Sequence, residues 1–156
     1  MNRYCLPALL ILAVLCIGPR LVAAEHIIDD SKKPSYLFVQ TAGSGEFDGK
    51  TLTLKIVSPI TIYFSDRPNR IAGHMPLKKF VENWNKGAVS FKDVPPNGVL
   101  SIFTDKGTSE IVVTLTKPKL EGNTLQFEVL ILKGEIPKSF GIVSLFIDER
   151  PMYFNY

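Results

Sequence analysis

The sequence predicts a mainly β protein, an antiparallel sandwich or partly open barrel of about seven strands with one short helix. Short runs of β-branched and aromatic residues recur along the chain, with turn residues between them. Only one segment, residues 76–86, has the periodicity of a helix. Because a parallel sheet needs a crossover between successive strands, usually a helix, a parallel arrangement is not expected.

The first 24 residues have the layout of a secretory signal peptide. Arg3 precedes an uncharged apolar run over residues 5–17, and small residues precede Glu25. This run has 13 residues, whereas a helix that spans a bilayer needs about 20. We therefore predict cleavage after Ala24, export to the periplasm or the extracellular space, and no membrane span in the mature protein.

Loss of the signal peptide changes the composition. The whole chain has 156 residues and a net charge of +3. Arg3 and Arg20 leave with the signal peptide, so 16 basic residues face 15 acidic ones, and Cys5 and Cys16 leave as well. A neutral domain without a thiol excludes cysteine chemistry, and a surplus of one charge gives no basic patch for nucleic acid. We expect no nucleic-acid partner.

Residues 25–35 are polar, lack periodicity and are predicted to form a flexible leader. Residues 36–156 are predicted to form a single β-rich domain. Seven segments of this domain have strand composition. They are residues 36–41, 51–56, 60–65, 99–104, 110–116, 124–132 and 142–147. The glycine-containing segment 42–49 is predicted to be a turn, and residues 66–75 a polar loop.

The spacing of apolar residues assigns faces to these elements. In two strands, alternation places three apolar residues on one face. These are Leu52, Leu54 and Ile56 in one strand, and Ile60, Ile62 and Phe64 in the next. The end of segment 124–132 is solidly apolar, which predicts burial on both faces. In the helix, four residues form one stripe that is expected to join the core. They are Leu77, Phe80, Val81 and Trp84.

The densest polar stretch lies between the third predicted strand and the helix, over residues 65–75. Loops at strand ends often carry binding residues. Arg67 and Arg70 supply two guanidinium groups that can hold a carboxylate or phosphate through paired hydrogen bonds. Asp66 and His74 complete the predicted ligand-binding set. In the alternative interpretation, Asp66 pairs with one of the arginines in a closed structural turn.

The same stretch carries a resemblance. Tyr63-Phe64-Ser65-Asp66-Arg67-Pro68-x-Arg70-x-x-Gly73-His74 and the flanking segments resemble small, uncharacterised exported proteins of bacteria. The similar segments are spread over most of residues 36–132. The resemblance implies export and a single domain, and it implies no activity.

The mature sequence contains few residues that could form a catalytic site or a metal site. Ser65, Asp66 and His74 are the candidates for a hydrolase site, with His74 as general acid or base. The mature chain has no cysteine and only one histidine outside the leader, so we predict no metal site and no cofactor.

Three functional hypotheses therefore stand. The first is an exported, non-enzymatic β domain that binds a small anionic ligand or a protein partner through the 65–75 loop. The second is a hydrolase that uses His74 with Asp66. The third is a structural module of the cell envelope that interacts through a sheet edge or through the aromatic tail, residues 152–156.

Overall fold

The structure is a computed structural model that describes residues 34–86 and 90–151, with side chains up to residue 148. The predicted signal peptide, most of the predicted leader and the aromatic tail lie outside the described residues. The elements are β1 (Ser35–Phe47), β2 (Thr51–Val57), β3 (Ile60–Ser65), β4 (Ala72–Pro76), α1 (Leu77–Glu82), β5 (Asn97–Thr104), β6 (Gly107–Glu121), β7 (Thr124–Lys133), β8 (Ser139–Phe140) and β9 (Val143–Pro151).

The predicted mainly β, antiparallel fold is confirmed. The described strands form one antiparallel sheet in the order β2-β7-β6-β5-β9-β1-β3-β4, and β8 pairs with β1. The second half of β1 also pairs with β2, which curls the sheet around its inner face. In the described part of the chain, β4 pairs only with β3, so it forms an edge strand. The result is a partly open barrel with one short helix.

Two strands were not predicted, and one predicted turn was wrong. β4 lies within the predicted polar loop, and the short β8 lies before the last predicted strand. β1 continues through most of the predicted turn 42–49 and ends at Phe47. Glycine is required there because a Cβ at Gly45 would lie 2.3 Å from the ring of Phe140 on β8. Gly45 therefore permits the close contact between β1 and β8, and it does not end β1.

The alternation of buried and exposed residues shifts by one position between β2 and β3. Leu52 and Leu54 point inward, as the alternation predicted, but Ile56 is 68% exposed. Ile56 has a φ of 54°, which is rare for a β-branched residue, and the alternation shifts by one residue there. The predicted apolar face of β3 is consequently its outer face, and Thr61, Tyr63 and Ser65 are the buried residues.

The buried Thr61 is accommodated by a hydrogen-bonded pair. The Thr61 hydroxyl donates to Oε1 of Gln40 at 2.8 Å. The Gln40 amide Nε2 donates to the carbonyl of Ser58 at 3.0 Å, across the break between β2 and β3. Burial of these polar groups is therefore matched by hydrogen bonds, as a stable interior requires.

The helix is shorter than predicted but presents the predicted stripe. α1 ends at Glu82, while Pro76 is the last residue of β4 and the N-cap residue of α1. Phe80 and Trp84 are almost fully buried against the inner face of the sheet. The ring centroid of Trp84 lies 4.8 Å from that of Phe91 and 5.6 Å from that of Phe127 on β7. The helix and the turn after it thus cover the inner face with an aromatic cluster.

The end of β7 was predicted to be buried on both faces, and this prediction is wrong. Leu130 and Leu132 are 65% and 52% exposed. Only one face of the curled sheet meets the core, so alternate residues of an apolar run face outward. In the part of the chain that the structure describes, no helix is long and apolar enough to cross a membrane.

Candidate functional site

The arginine loop, residues 66–71, joins β3 to β4 at the edge of the sheet. Ser65 and Ile71 close it with two hydrogen bonds. The Ser65 amide donates to the Ile71 carbonyl at 2.8 Å, and the Ile71 amide donates to the Ser65 hydroxyl at 2.9 Å. Within the loop, the Arg70 amide donates to the Asp66 carbonyl at 3.0 Å. The backbone and one serine therefore fix the loop without help from charged side chains.

A concavity of about 420 Å³ lies against this loop. It is lined by Phe64, Ser65, Asp66, Arg67, Arg70, Ile71 and Ala72. The three charged residues of this set are exposed to solvent. Arg70 has a φ of 51°, an uncommon backbone conformation for a residue with a side chain. The concavity thus combines a fixed backbone with three accessible charged groups.

The charged side chains of the concavity have no ion-pair or hydrogen-bond partner among the residues that the structure describes. Among the described residues, neither the Arg67 nor the Arg70 guanidinium forms an ion pair or a hydrogen bond. The Asp66 carboxylate forms none there either, although its backbone carbonyl accepts from Arg70. The alternative in which Asp66 pairs with an arginine is therefore not the arrangement found. Both guanidinium groups remain available for a ligand.

His74 is separated from the other predicted ligand-binding residues. It lies on β4, where its register partner on β3 is Ile62, and its side chain is exposed. Extended chain rises about 3.3 Å per residue, so His74 lies about 10 Å along the chain from Ile71. It does not line the concavity. The structure brings Asp66, Arg67 and Arg70 together and leaves His74 outside.

The three catalytic candidates are likewise spread apart. Ser65 is 9% exposed, and its hydroxyl accepts the hydrogen bond from Ile71. Asp66 faces the concavity, and His74 faces solvent on β4. The described residues contain no group of three or more histidine, cysteine, aspartate or glutamate side chains that could hold a metal ion.

β4 itself depends on a close contact that the sequence did not reveal. Gly73 pairs with Tyr63 across β3 and β4. A Cβ at Gly73 would lie 2.6 Å from the Tyr63 hydroxyl oxygen. Glycine therefore lets the buried tyrosine pass beneath β4, which positions the second end of the arginine loop.

The outer face of the sheet carries an apolar row that sequence reasoning also missed. The register places Ile62, Val39, Phe146, Val99 and Val112 side by side on five adjacent strands. Ile62 and Phe146 are 46% and 44% exposed. The signal in the sequence was the alternation of β3, but its phase was assigned to the wrong face.

Comparisons with protein families, with curated proteins and with solved structures give no match to this chain.

Proposed function

We propose that the protein is a non-enzymatic, exported β domain that binds a small carboxylate or phosphate ligand at the arginine loop. The observation that carries this proposal is the pair of guanidinium groups, Arg67 and Arg70, on one concavity with no acidic partner among the described residues. A guanidinium group matches the geometry of two oxygens of a carboxylate or phosphate.

Asp66 restricts the ligand further. Its carboxylate lines the same concavity and repels a bare anion. An ionised carboxylate only accepts hydrogen bonds, so it favours a ligand with a hydroxyl or amine donor beside its anionic group. We therefore expect hydroxy acids and amino acids to bind more tightly than acetate, a carboxylate without a donor.

Titration of the purified protein with inorganic phosphate at low ionic strength tests the proposal. We expect the Arg67→Ala, Arg70→Ala double variant to lose most of the binding, because exposed charge contacts contribute about 0.2–1 kcal/mol each and charge-assisted pairs more. The Lys106→Ala variant, which removes an exposed charge at the β5–β6 turn, should bind like the wild type. Unchanged affinity in the double variant would refute the site.

The Asp66→Asn variant separates charge from shape. It removes the like charge and keeps the size of the side chain, so it should strengthen phosphate binding and weaken discrimination in favour of ligands with a donor. If Asp66→Asn weakened phosphate binding as much as loss of an arginine, Asp66 would have a structural role in the loop.

A protein partner is the second candidate, and one observation favours it. The outer apolar row reaches Ile62, and Phe64 lines the concavity, so apolar surface adjoins the two arginines. A protein bound here should lose affinity in Ile62→Ser as well as in Arg67→Ala. A small ion should respond to Arg67→Ala alone, and this difference distinguishes the two candidates.

A further inference from the structure

A second cavity shares no lining residue with the concavity at the arginine loop. This helix-side pocket has a volume of about 370 Å³, within the usual range for small-molecule sites. Its apolar wall is formed by Val81, Trp84 and Phe91. The polar Asn85 and Thr116 also line it, and its rim includes Lys92, Lys117 and Pro118. The pocket therefore has an apolar wall and a cationic rim.

A β-bulge in β6 forms the rim. The register between β6 and β7 shifts between Thr116 and Lys119, where three steps of β6 match two steps of β7. Lys117 occupies the extra position, with a φ of 49°. β-Bulges redirect side chains and are frequent beside binding sites. This bulge brings a cationic residue to the mouth of an apolar pocket.

Trp84 contributes a buried polar group to the wall. The residue is 2% exposed, and its rings pack against Phe80, Phe91 and Phe127. Its indole N–H has no hydrogen-bond acceptor among the described residues. Buried donors nearly always have a partner, in the protein or in bound water or ligand. Trp84 therefore brings a hydrogen-bond donor as well as an apolar ring to the set of residues that lines the pocket.

The two lysines at the rim, Lys92 and Lys117, differ in their ion pairs. Lys117 donates to both carboxylate oxygens of Glu128, at 3.0 and 3.1 Å, and Lys50 approaches the same carboxylate at 3.5 Å. Lys92 is exposed and forms no ion pair with another described residue. Lys92 is therefore the cation that can meet a ligand anion without breaking an existing pair.

We propose that the helix-side pocket binds a small apolar carboxylate, a molecule with a hydrocarbon body and one carboxylate group. The hydrocarbon body packs against Val81, Trp84 and Phe91. Binding is favourable because it removes apolar surface of the ligand and of the pocket from water. The carboxylate lies at the rim with Lys92. This ligand differs from the polar anion proposed for the arginine loop, because here most of the contact is apolar.

The chain itself supplies the reporter for the test. Trp84 is the only tryptophan, so its fluorescence reports directly on the pocket wall. Three probes separate the contributions: octanoate has both the apolar body and the charge, 1-octanol has the body, and acetate has the charge. We expect octanoate to change the Trp84 emission and to bind more tightly than 1-octanol, with no response to acetate. No saturable change with octanoate overturns the proposal.

Two variants locate the binding. Lys92→Ala should weaken octanoate binding about two- to fivefold and leave 1-octanol binding unchanged, because it removes one exposed charge contact. Val81→Phe should fill part of the cavity and weaken both probes. Lys106→Ala is the charge control, and far-UV circular dichroism confirms the fold of each variant. Octanoate affinity that is unchanged in both Lys92→Ala and Val81→Phe overturns the assignment.

A final control keeps the two sites apart. The Arg67→Ala, Arg70→Ala double variant should bind octanoate with wild-type affinity. If octanoate binding fell in this variant and not in Lys92→Ala, the carboxylate would be bound at the arginine loop and the pocket proposal would fail. Loss of phosphate binding alone affects only the arginine loop.

Discussion

The arginine loop and the helix-side pocket obtain their chemistry from different parts of the fold. The loop carries exposed charged side chains on a backbone that Ser65 and Ile71 close. The wall of the helix-side pocket includes the rings of Trp84 and Phe91, which also belong to the core because both residues are almost fully buried. For the two arginine side chains of the loop, binding and stability are therefore separable, whereas in the pocket the same side chains serve both.

Replacement of Trp84 by alanine should have the largest effect on stability. Truncation of a buried aromatic residue costs about 3–5 kcal/mol, because it removes apolar contact and leaves a cavity. The Arg67→Ala, Arg70→Ala double variant should change the free energy of unfolding by less than about 0.5 kcal/mol per site, as exposed substitutions do. Urea denaturation followed by far-UV circular dichroism measures both values.

The conservative variant Trp84→Phe serves as the control, since it keeps an apolar ring in the cluster. It should lie between the wild type and Trp84→Ala in stability. If Trp84→Ala cost no more than the arginine double variant, the contrast between the two regions would not hold.

Replacement of Ser65 by alanine should have an intermediate effect and connects stability with binding in the loop. It removes the acceptor of the Ile71 amide in a partly buried position, which costs about 1–3 kcal/mol when a donor is left without a partner. Because this hydrogen bond closes the loop, phosphate affinity should fall with stability. Calorimetry with phosphate and urea denaturation give the two measurements.

Ser144→Ala on β9 is the matched control, because it removes a half-buried hydroxyl that forms no hydrogen bond among the described residues. Equal losses in both serine variants would mean that the hydroxyl of Ser65 has no special role in closing the loop.

The sequence predicted the arginine loop better than it predicted the pocket. Arg67 and Arg70 are three residues apart in one turn, so their proximity follows from local spacing alone. Trp84 and Lys117 are far apart in sequence and meet through the placement of the helix on the sheet. Pro118 is a local signal for the bulge, because proline lacks the N–H that a central strand needs, but it does not indicate where Lys117 is directed.

The difference between local and non-local features also explains the errors in the predicted fold. The strand class was evident from β-branched and aromatic runs, but the phase of β3 depends on the left-handed backbone of Ile56, a residue type that seldom adopts it. The separation of His74 from Arg70 depends on β4, whose pairing requires Gly73 beside Tyr63. The first feature is a backbone conformation that residue type does not predict, and the second arises from a contact between strands that a single segment does not encode.

The smallest expected effect on stability concerns Glu128, whose carboxylate forms an ion pair with Lys117. The Lys117 hydrogen bond lowers the pKa of Glu128, with a further contribution from the charge of Lys50. A carboxyl group with a lowered pKa in the folded state favours folding above its unfolded-state pKa, and this contribution is lost as the pH falls through the folded-state value. Glu128→Gln should therefore be slightly less stable than the wild type at pH 7. The difference should begin to shrink below about pH 4, where an ordinary glutamate becomes protonated, and should vanish only below the lowered folded-state pKa of Glu128.

Glu128→Gln also tests how far the two regions differ in the availability of their charges. It frees Lys117 from its partner, so the pocket rim gains a second uncommitted cation and resembles the arginine loop in this respect. Octanoate affinity measured by Trp84 fluorescence should rise about two- to fivefold, the range for one exposed charge contact. Glu46→Gln, which frees Lys55 elsewhere on the sheet, should leave octanoate affinity unchanged. If both variants raised the affinity equally, the gain would come from net charge and not from Lys117 at the rim.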